Sequence, residues 1–240
     1  MAGAVVILGA TGGIGGALAR RVATRGGSPF LIGRDAGTLE ALGRELGAPS
    51  AACDVTDAAA LKAALQAAGT PLAGLAFCIG SIVMKPLARA TAADFATAFA
   101  LNVTAAALAV QAAAPALAAG QGSVVLFSSV AARAGFPGHA VIGAAKAAVE
   151  GLTVALAAEL APAVRVNCIA PSLTRTGIAE PMTKNPQMAE AIARLHPIPR
   201  LGEPEDAAAL ADFLLSEASG WITGQVIGVD GGRSTLRGKG

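Results

Sequence analysis

Short aliphatic runs recur along this 240-residue chain at 4–8, 30–32, 50–53, 75–78, 123–127, 165–169 and 226–229. Longer stretches of helical character separate them, around 13–25, 36–46, 58–68, 92–114, 141–160 and 204–215. That alternation is the strongest constraint on the fold. A strand apolar at every position has both faces buried, and a helix between successive strands returns the chain so that the strands run parallel. The pattern predicts an α/β protein, a doubly wound parallel sheet of seven strands with helices on both faces. Ligands in such a sheet gather at the carboxyl ends of the strands. One domain is expected, 1–240, large enough to bury a sizeable core.

The segment from Pro171 to Pro204 breaks the alternation. It holds no clear strand and carries Pro171, Pro181, Pro186, Pro197, Pro199 and Pro204 together with Met182 and Met188. A long irregular segment after the sixth strand reads as a lid, placed at about 172–203, and a small-molecule substrate is expected beneath it.

Charge and composition narrow the partners. Eighteen basic residues stand against 16 acidic ones, so no dense field points to nucleic acid. Arg233, Arg237 and Lys239 read as a short solvated basic tail. The cysteines, Cys53, Cys78 and Cys168, form no C-x-x-C pair and end apolar runs, as buried free thiols do in a reducing compartment. The first apolar run enters a glycine loop directly and so reads as a strand, not a signal sequence. The alanine-rich stretch 103–119 is interrupted by Thr104, Gln111 and Pro115, too short and broken to span a bilayer. A cytoplasmic protein with no membrane partner is expected, and no metal site is predicted.

Gly9-Ala10-Thr11-Gly12-Gly13-Ile14-Gly15-Gly16 lies between the first strand and the first helix. Glycine at 9 permits a tight turn, at 13 a close backbone approach to a pyrophosphate, and at 15 the packing of helix on strand. The helix N-terminus then faces the phosphates. This is a dinucleotide loop.

Further motifs follow in order: Cys53-Asp54-Val55, Leu101-Asn102-Val103, Gly122 to Ser129, Val166-Asn167-Cys168-Ile169-Ala170-Pro171, Pro199 to Asp206, and Ile222 to Gly232. With the glycines at 9, 13 and 15 they make a chain that resembles the short-chain dehydrogenase/reductase family along essentially its whole length. The resemblance implies a Rossmann fold and cofactor contacts at Gly9, Thr11, Gly13, Ile14, Gly15, Asp54, Val55, Gly80, Lys146, Pro171, Thr174 and Thr176. It also implies a homotetramer or homodimer, joined through the long helices holding Asn102 and Lys146 and through the last strand. In this family an acid at the place of Gly33 would bind the ribose hydroxyls, whereas Arg34 can meet a 2′-phosphate by bidentate, charge-assisted contacts. NADP(H) is therefore expected over NAD(H).

The same resemblance assigns Ser129, Lys146 and Asn102 to the catalytic group. The family's proton donor is a tyrosine four residues before the lysine, and here that position is Ile142 in a chain without any tyrosine. Isoleucine carries no transferable proton. His139, one helical turn earlier if helical, would face the same cleft, while His196 sits in the lid segment. Phe77-Cys78-Ile79-Gly80 and Pro171-Ser172 also depart from the family's usual residues. Two functions stay open at this point. One is an NADP(H)-dependent oxidoreductase acting on a carbonyl or an activated C=C or C=N bond, with water, His139 or Lys146 as the proton source. The other is a catalytically silent NADP(H)-binding sensor or partner subunit.

Overall fold

In β1 (Ala4–Leu8) successive side chains divide the molecule into layers: Val6 and Leu8 enter one core cluster, Val5 and Ile7 the other. All four are buried, as a strand covered on both faces requires. The computed structural model describes residues 3–236, so Arg237 and Lys239 of the expected basic tail lie outside the described residues.

The remaining strands are β2 (Ser28–Gly33), β3 (Ser50–Ala52), β4 (Leu72–Phe77), β5 (Ser123–Phe127), β6 (Arg165–Pro171) and β7 (Val226–Val229). They form one parallel sheet of seven in the order β3-β2-β1-β4-β5-β6-β7, the doubly wound Rossmann arrangement expected. Strand order reverses between β1 and β4, which opens a crevice at their carboxyl ends. On one face lie α1 (Gly13–Thr24), α2 (Ala36–Leu46) and α9 (Pro204–Leu215). On the other lie α3 (Ala58–Ala67), α5 (Ala105–Ala119) and α6 (Ala140–Leu160), with α4 (Ala92–Phe99) leading into α5.

Element boundaries change in three places. The fourth strand starts at Leu72, three residues before the run at 75–78, because Gly74 mutes the strand signal. A Cβ at Gly74 would stand 2.8 Å from Leu215 Cδ2, so glycine there lets α9 lie close on the sheet. The helix expected to stop at 114 runs to Ala119 with Pro115 inside it. Proline forfeits one backbone bond, yet Ala113 and Leu117 on either side are buried against the sheet, and that packing prevails. The segment expected to be a lid contains two short helices, α7 (Glu180–Thr183) and α8 (Pro186–Ala193), each with proline in its first turn.

Ala92–Ala119 is one continuous helical stretch, joined by a π-turn at Ala100–Thr104. It and Ala140–Leu160 are long and apolar enough to cross a membrane by length and composition, contrary to the reading of 103–119 as too short and broken. The physical reason is that Thr104 and Gln111 do not interrupt a helix as they interrupt an apolar run. Only 33% and 39% of their most apolar windows is buried, which leaves an apolar outer face on each.

Candidate active site

At the phosphate end the geometry is made by backbone. Gly9 turns the chain at φ 80°, and a Cβ there would meet Ile79 Cγ1 at 2.9 Å and the Cys78 carbonyl oxygen at 3.0 Å. At Gly15 a Cβ would lie 2.2 Å from the Gly9 carbonyl oxygen, so α1 enters pressed against the turn. Gly13 is short of room for a different reason: its Cβ would meet Thr176 Cγ2 at 2.8 Å, from the segment after β6. Gly12 caps α1 without any side-chain hydrogen bond, and Thr11 and Gly12 are exposed. The first-turn amides of α1, those of Gly13, Ile14 and Gly15, thus lack a side-chain cap and suit an anion such as a pyrophosphate. These residues fit a dinucleotide.

Beyond β2, Gly33 is buried beneath Thr11, whose Oγ1 would be 3.3 Å from a Cβ at 33. Arg34 is exposed and forms no ion pair with a described residue. Its neighbour Asp35 is occupied as the N-cap of α2, accepting from the Thr38 amide at 2.7 Å. Asp54 likewise accepts from the amide and hydroxyl of Thr56 at 2.9 and 2.7 Å, and these bonds lower its pKa. Val55 is 2% exposed and belongs to the core, so its backbone is what it can offer a ligand.

At the carboxyl ends of β4, β5 and β6 lies a cavity of about 440 Å³. Ser129, His139, Ile142 and Lys146 all line it, as do Ile14, Gly80, Pro171, Thr174 and Thr176. Ser129 follows β5 and accepts from the Ala131 amide at 3.2 Å, which leaves its own proton to donate. Lys146, on α6, is 7% exposed, and Nζ donates to the Phe127 carbonyl at 2.9 Å. Burial pushes its ammonium down to about 8, with Cys168 nearby opposing that shift. Cys168 itself is pushed up to about 12 by burial.

Asn102, in the π-turn, does not line the cavity but lies behind Gly80, on the side of Lys146. Its Nδ2 donates to the Ala98 carbonyl at 2.9 Å and to Ser81 Oγ at 3.1 Å, while its buried Oδ1 has no partner. Gly80 stands between: a Cβ would lie 2.9 Å from Lys146 Nζ and 3.2 Å from Asn102 Oδ1. Glycine here preserves the approach of lysine to asparagine. Ile142 is 4% exposed and supplies only hydrocarbon one turn before Lys146.

His139 is the N-cap of α6 and not part of the helix, yet it joins the cavity wall. Its Nδ1 donates to the Pro137 carbonyl at 2.9 Å, which assigns the ring proton to that nitrogen in the neutral form and leaves Nε2 free. His196 does not line the cavity. It is 4% exposed, Nδ1 facing the Ile192 carbonyl at 2.9 Å and Nε2 the Ser172 hydroxyl at 2.8 Å. Thr174 and Thr176 bond locally, to the carbonyls of Ser172 and Thr174 at 3.0 and 3.3 Å. Cys78, read as a buried thiol, borders the cavity, although burial still pushes it up to about 12.

Arg233 was missed as a site residue. In place of a solvated tail residue it is a half-buried part of the cavity wall, its guanidinium 4.8 Å above the Phe136 ring. Gly231 and Gly232, at φ 61° and 86°, turn the chain after β7 back toward the cavity. That glycine pair was the available signal. Among the described residues no group of three or more histidine, cysteine, aspartate or glutamate side chains gathers as a metal site.

The arrangement joins a hydroxyl donor, a buried ammonium and an apolar wall beside an anion-binding helix terminus. A family model described as enoyl-(acyl carrier protein) reductase matches residues 9–234. Galactitol 2-dehydrogenase (L-tagatose-forming) of Cereibacter sphaeroides is 37% identical over 238 residues, 94% of this chain and 92% of the relative. A short-chain type dehydrogenase/reductase from Mycobacterium ulcerans superposes with a TM-score of 0.91 at 32% identity, covering 98% of this chain and 90% of that one. A gluconate 5-dehydrogenase from Burkholderia cenocepacia, in complex with NADP and tartrate, gives 0.91 at 26% identity over 98% and 96%. With its sheet order, glycine turn and whole-length relatives, the chain belongs to the short-chain dehydrogenase/reductase family of oxidoreductases.

Proposed function

We propose that the protein is an NADP(H)-dependent oxidoreductase that reduces a carbonyl, or an activated C=C or C=N bond, of a small substrate without a tyrosine proton donor. The observation that carries this reading is the shared cavity, where Ser129, Ile142 and Lys146 meet Gly80, Pro171 and Thr176. The preference for the 2′-phosphate form rests on Arg34, exposed and unpaired beside a side-chain-free Gly33, with Asp35 held by its cap. The gluconate 5-dehydrogenase in complex with NADP is consistent with it.

The nicotinamide cofactor, when bound, supplies the hydride; the protein supplies position and protons. Gly13, Ile14 and Gly15 hold the pyrophosphate through backbone, and Lys146 with Asn102 stands at the ribose side. Ser129 donates its hydroxyl proton in a hydrogen bond to the substrate oxygen. Lys146 keeps two N–H groups besides the one given to Phe127, and an ammonium near 8 is acidic enough to release a proton at neutral pH. Ile142 shields that proton from bulk water. His139 Nε2 is the second group in the wall that can carry one. The apolar outer faces of Ala92–Ala119 and Ala140–Leu160 support assembly as a homodimer or homotetramer.

Cofactor titration followed by NADPH oxidation against ketones, aldehydes, enones and imines tests this reading. Turnover on at least one class is expected. Tight NADPH binding with no oxidation across the panel would replace it with a silent dinucleotide-binding protein.

A further inference from the structure

We propose that Arg233 is an anion-recognising residue of the cavity, and that the substrate is an apolar molecule ending in a carboxylate. This rests on the oxidoreductase reading for its reacting end only. Among the described residues the cavity wall holds two cationic side chains, Lys146 and Arg233, and no aspartate or glutamate. Much of the rest is hydrocarbon or thioether, including Ile82, Met84, Phe136, Met182, Met188 and Ile192.

Arg233 is held but not satisfied. Phe136 supports the guanidinium from below at 4.8 Å, and Nη1 makes one long contact, 3.4 Å, to Ser172 Oγ. Ser172 is itself fixed: the His196 nitrogen that faces backbone carbonyls carries a proton, so in the neutral ring Nε2 accepts the Ser172 hydroxyl proton and the serine oxygen keeps its lone pairs for Arg233. Asp230 is close enough to act on Arg233 through charge, yet forms no ion pair with it within 4.0 Å among the described residues. Its oxygens accept instead from the Gly232 amide at 2.8 Å, the Ser234 amide at 3.0 Å and the Ser234 hydroxyl.

A guanidinium has five N–H donors arranged to meet a carboxylate in a two-pronged fashion. Here most of them have no acceptor among the described residues, in a half-buried place with an apolar wall, where an unpaired charge is unfavourable and a carboxylate would offset that. The apolar chain lies along Met182 and Met188, whose flexible side chains adapt to its shape. The reacting bond takes the end near Ser129 and Lys146.

Calorimetric titration of the NADPH-loaded protein with straight-chain methyl-keto acids of increasing length, each beside its methyl ester, tests the assignment. The acid of the best length should bind at least about tenfold more tightly than its ester, the gain from a charge-assisted pair. Arg233→Gln should equalise acid and ester while leaving NADPH affinity unchanged, and Arg233→Lys should retain part of the preference. Equal affinity in the wild type, no binding of either compound, or a preference that survives in Arg233→Gln would each overturn it. An Arg233-dependent preference without NADPH oxidation of any keto acid would uphold the anion subsite and exclude a ketone as the reacting group.

Discussion

The two ends of the site are built from different material. The phosphate end uses backbone: Gly9, Gly13 and Gly15 are close in sequence, and each is glycine because a Cβ would strike another part of the protein within 3 Å. The cavity end uses side chains from segments far apart, Ile82 and Met84 after β4, Phe136 to Lys146 around the start of α6, Met182 and Met188 in α7 and α8, and Arg233 after β7. Backbone geometry tolerates no substitution without rebuilding the turn. A side-chain wall accepts one change at a time, which is how Ile142 can stand where the family resemblance puts a tyrosine.

The largest effect should come from Gly15→Ala. Its methyl would lie 2.2 Å from the Gly9 carbonyl oxygen, and backbone cannot move aside as a rotamer can. A loss of at least about 3 kcal/mol, seen as a lower melting temperature together with lost NADPH binding, is expected. A variant with wild-type melting and affinity would break the claim that this end is rigid.

Ile142→Tyr asks how adaptable the other end is. A phenol would then stand one turn before Lys146 in the wall that Ser129 shares, and ketone or aldehyde reduction should rise about 100-fold, the low end of general acid catalysis. A folded, NADPH-binding Ile142→Tyr protein with no gain on any simple carbonyl would show a wall remodelled as a whole.

Arg34→Ala separates cofactor choice from cofactor holding. NADPH affinity should fall by about 1.5–3 kcal/mol, the range for hydrogen bonds to a charged group, with little change for NADH. Equal losses for the two cofactors in parallel titrations would assign Arg34 to the shared diphosphate.

The smallest effect concerns pH. Burial holds the Lys146 ammonium at about 8, below its ordinary 10.5. If Lys146 gives the proton, its acidic form is present below that value, and the reduction rate should fall about tenfold per unit as pH rises beyond it. The stability sign is opposite: the folded state binds the proton less well than the unfolded chain, so the destabilisation is complete below about 8 and is relieved as pH rises toward 10.5. A rate flat through pH 9 would assign the proton to water.

The alternation of apolar runs with helices was enough to place seven parallel strands: in central strands such as β4 and β5 burial on both faces writes itself into every residue, while the edge strands β3 and β7, only partly buried, keep their place in the alternation. Runs 4–8, 123–127 and 226–229 match β1, β5 and β7 residue for residue. The glycine turn was legible because part of its constraint is local: Gly9 takes φ 80°, and a Cβ at Gly15 would strike the Gly9 carbonyl, while the contacts of Gly9 with Ile79 and of Gly13 with Thr176 come from distant segments. What only the tertiary structure decided lies where side chains from distant segments converge. Sequence showed Gly80 and Lys146 but not that a Cβ on one would stand 2.9 Å from Nζ of the other. It showed His196 in the lid but not that the ring is buried and holds Ser172. It showed Arg233 among basic residues near the chain's end, where local pattern reads as solvent-exposed. The turn at Gly231 and Gly232 and the Phe136 ring, nearly a hundred residues away, bring that charge into the cavity, and contacts of that span are set by packing, not by periodicity.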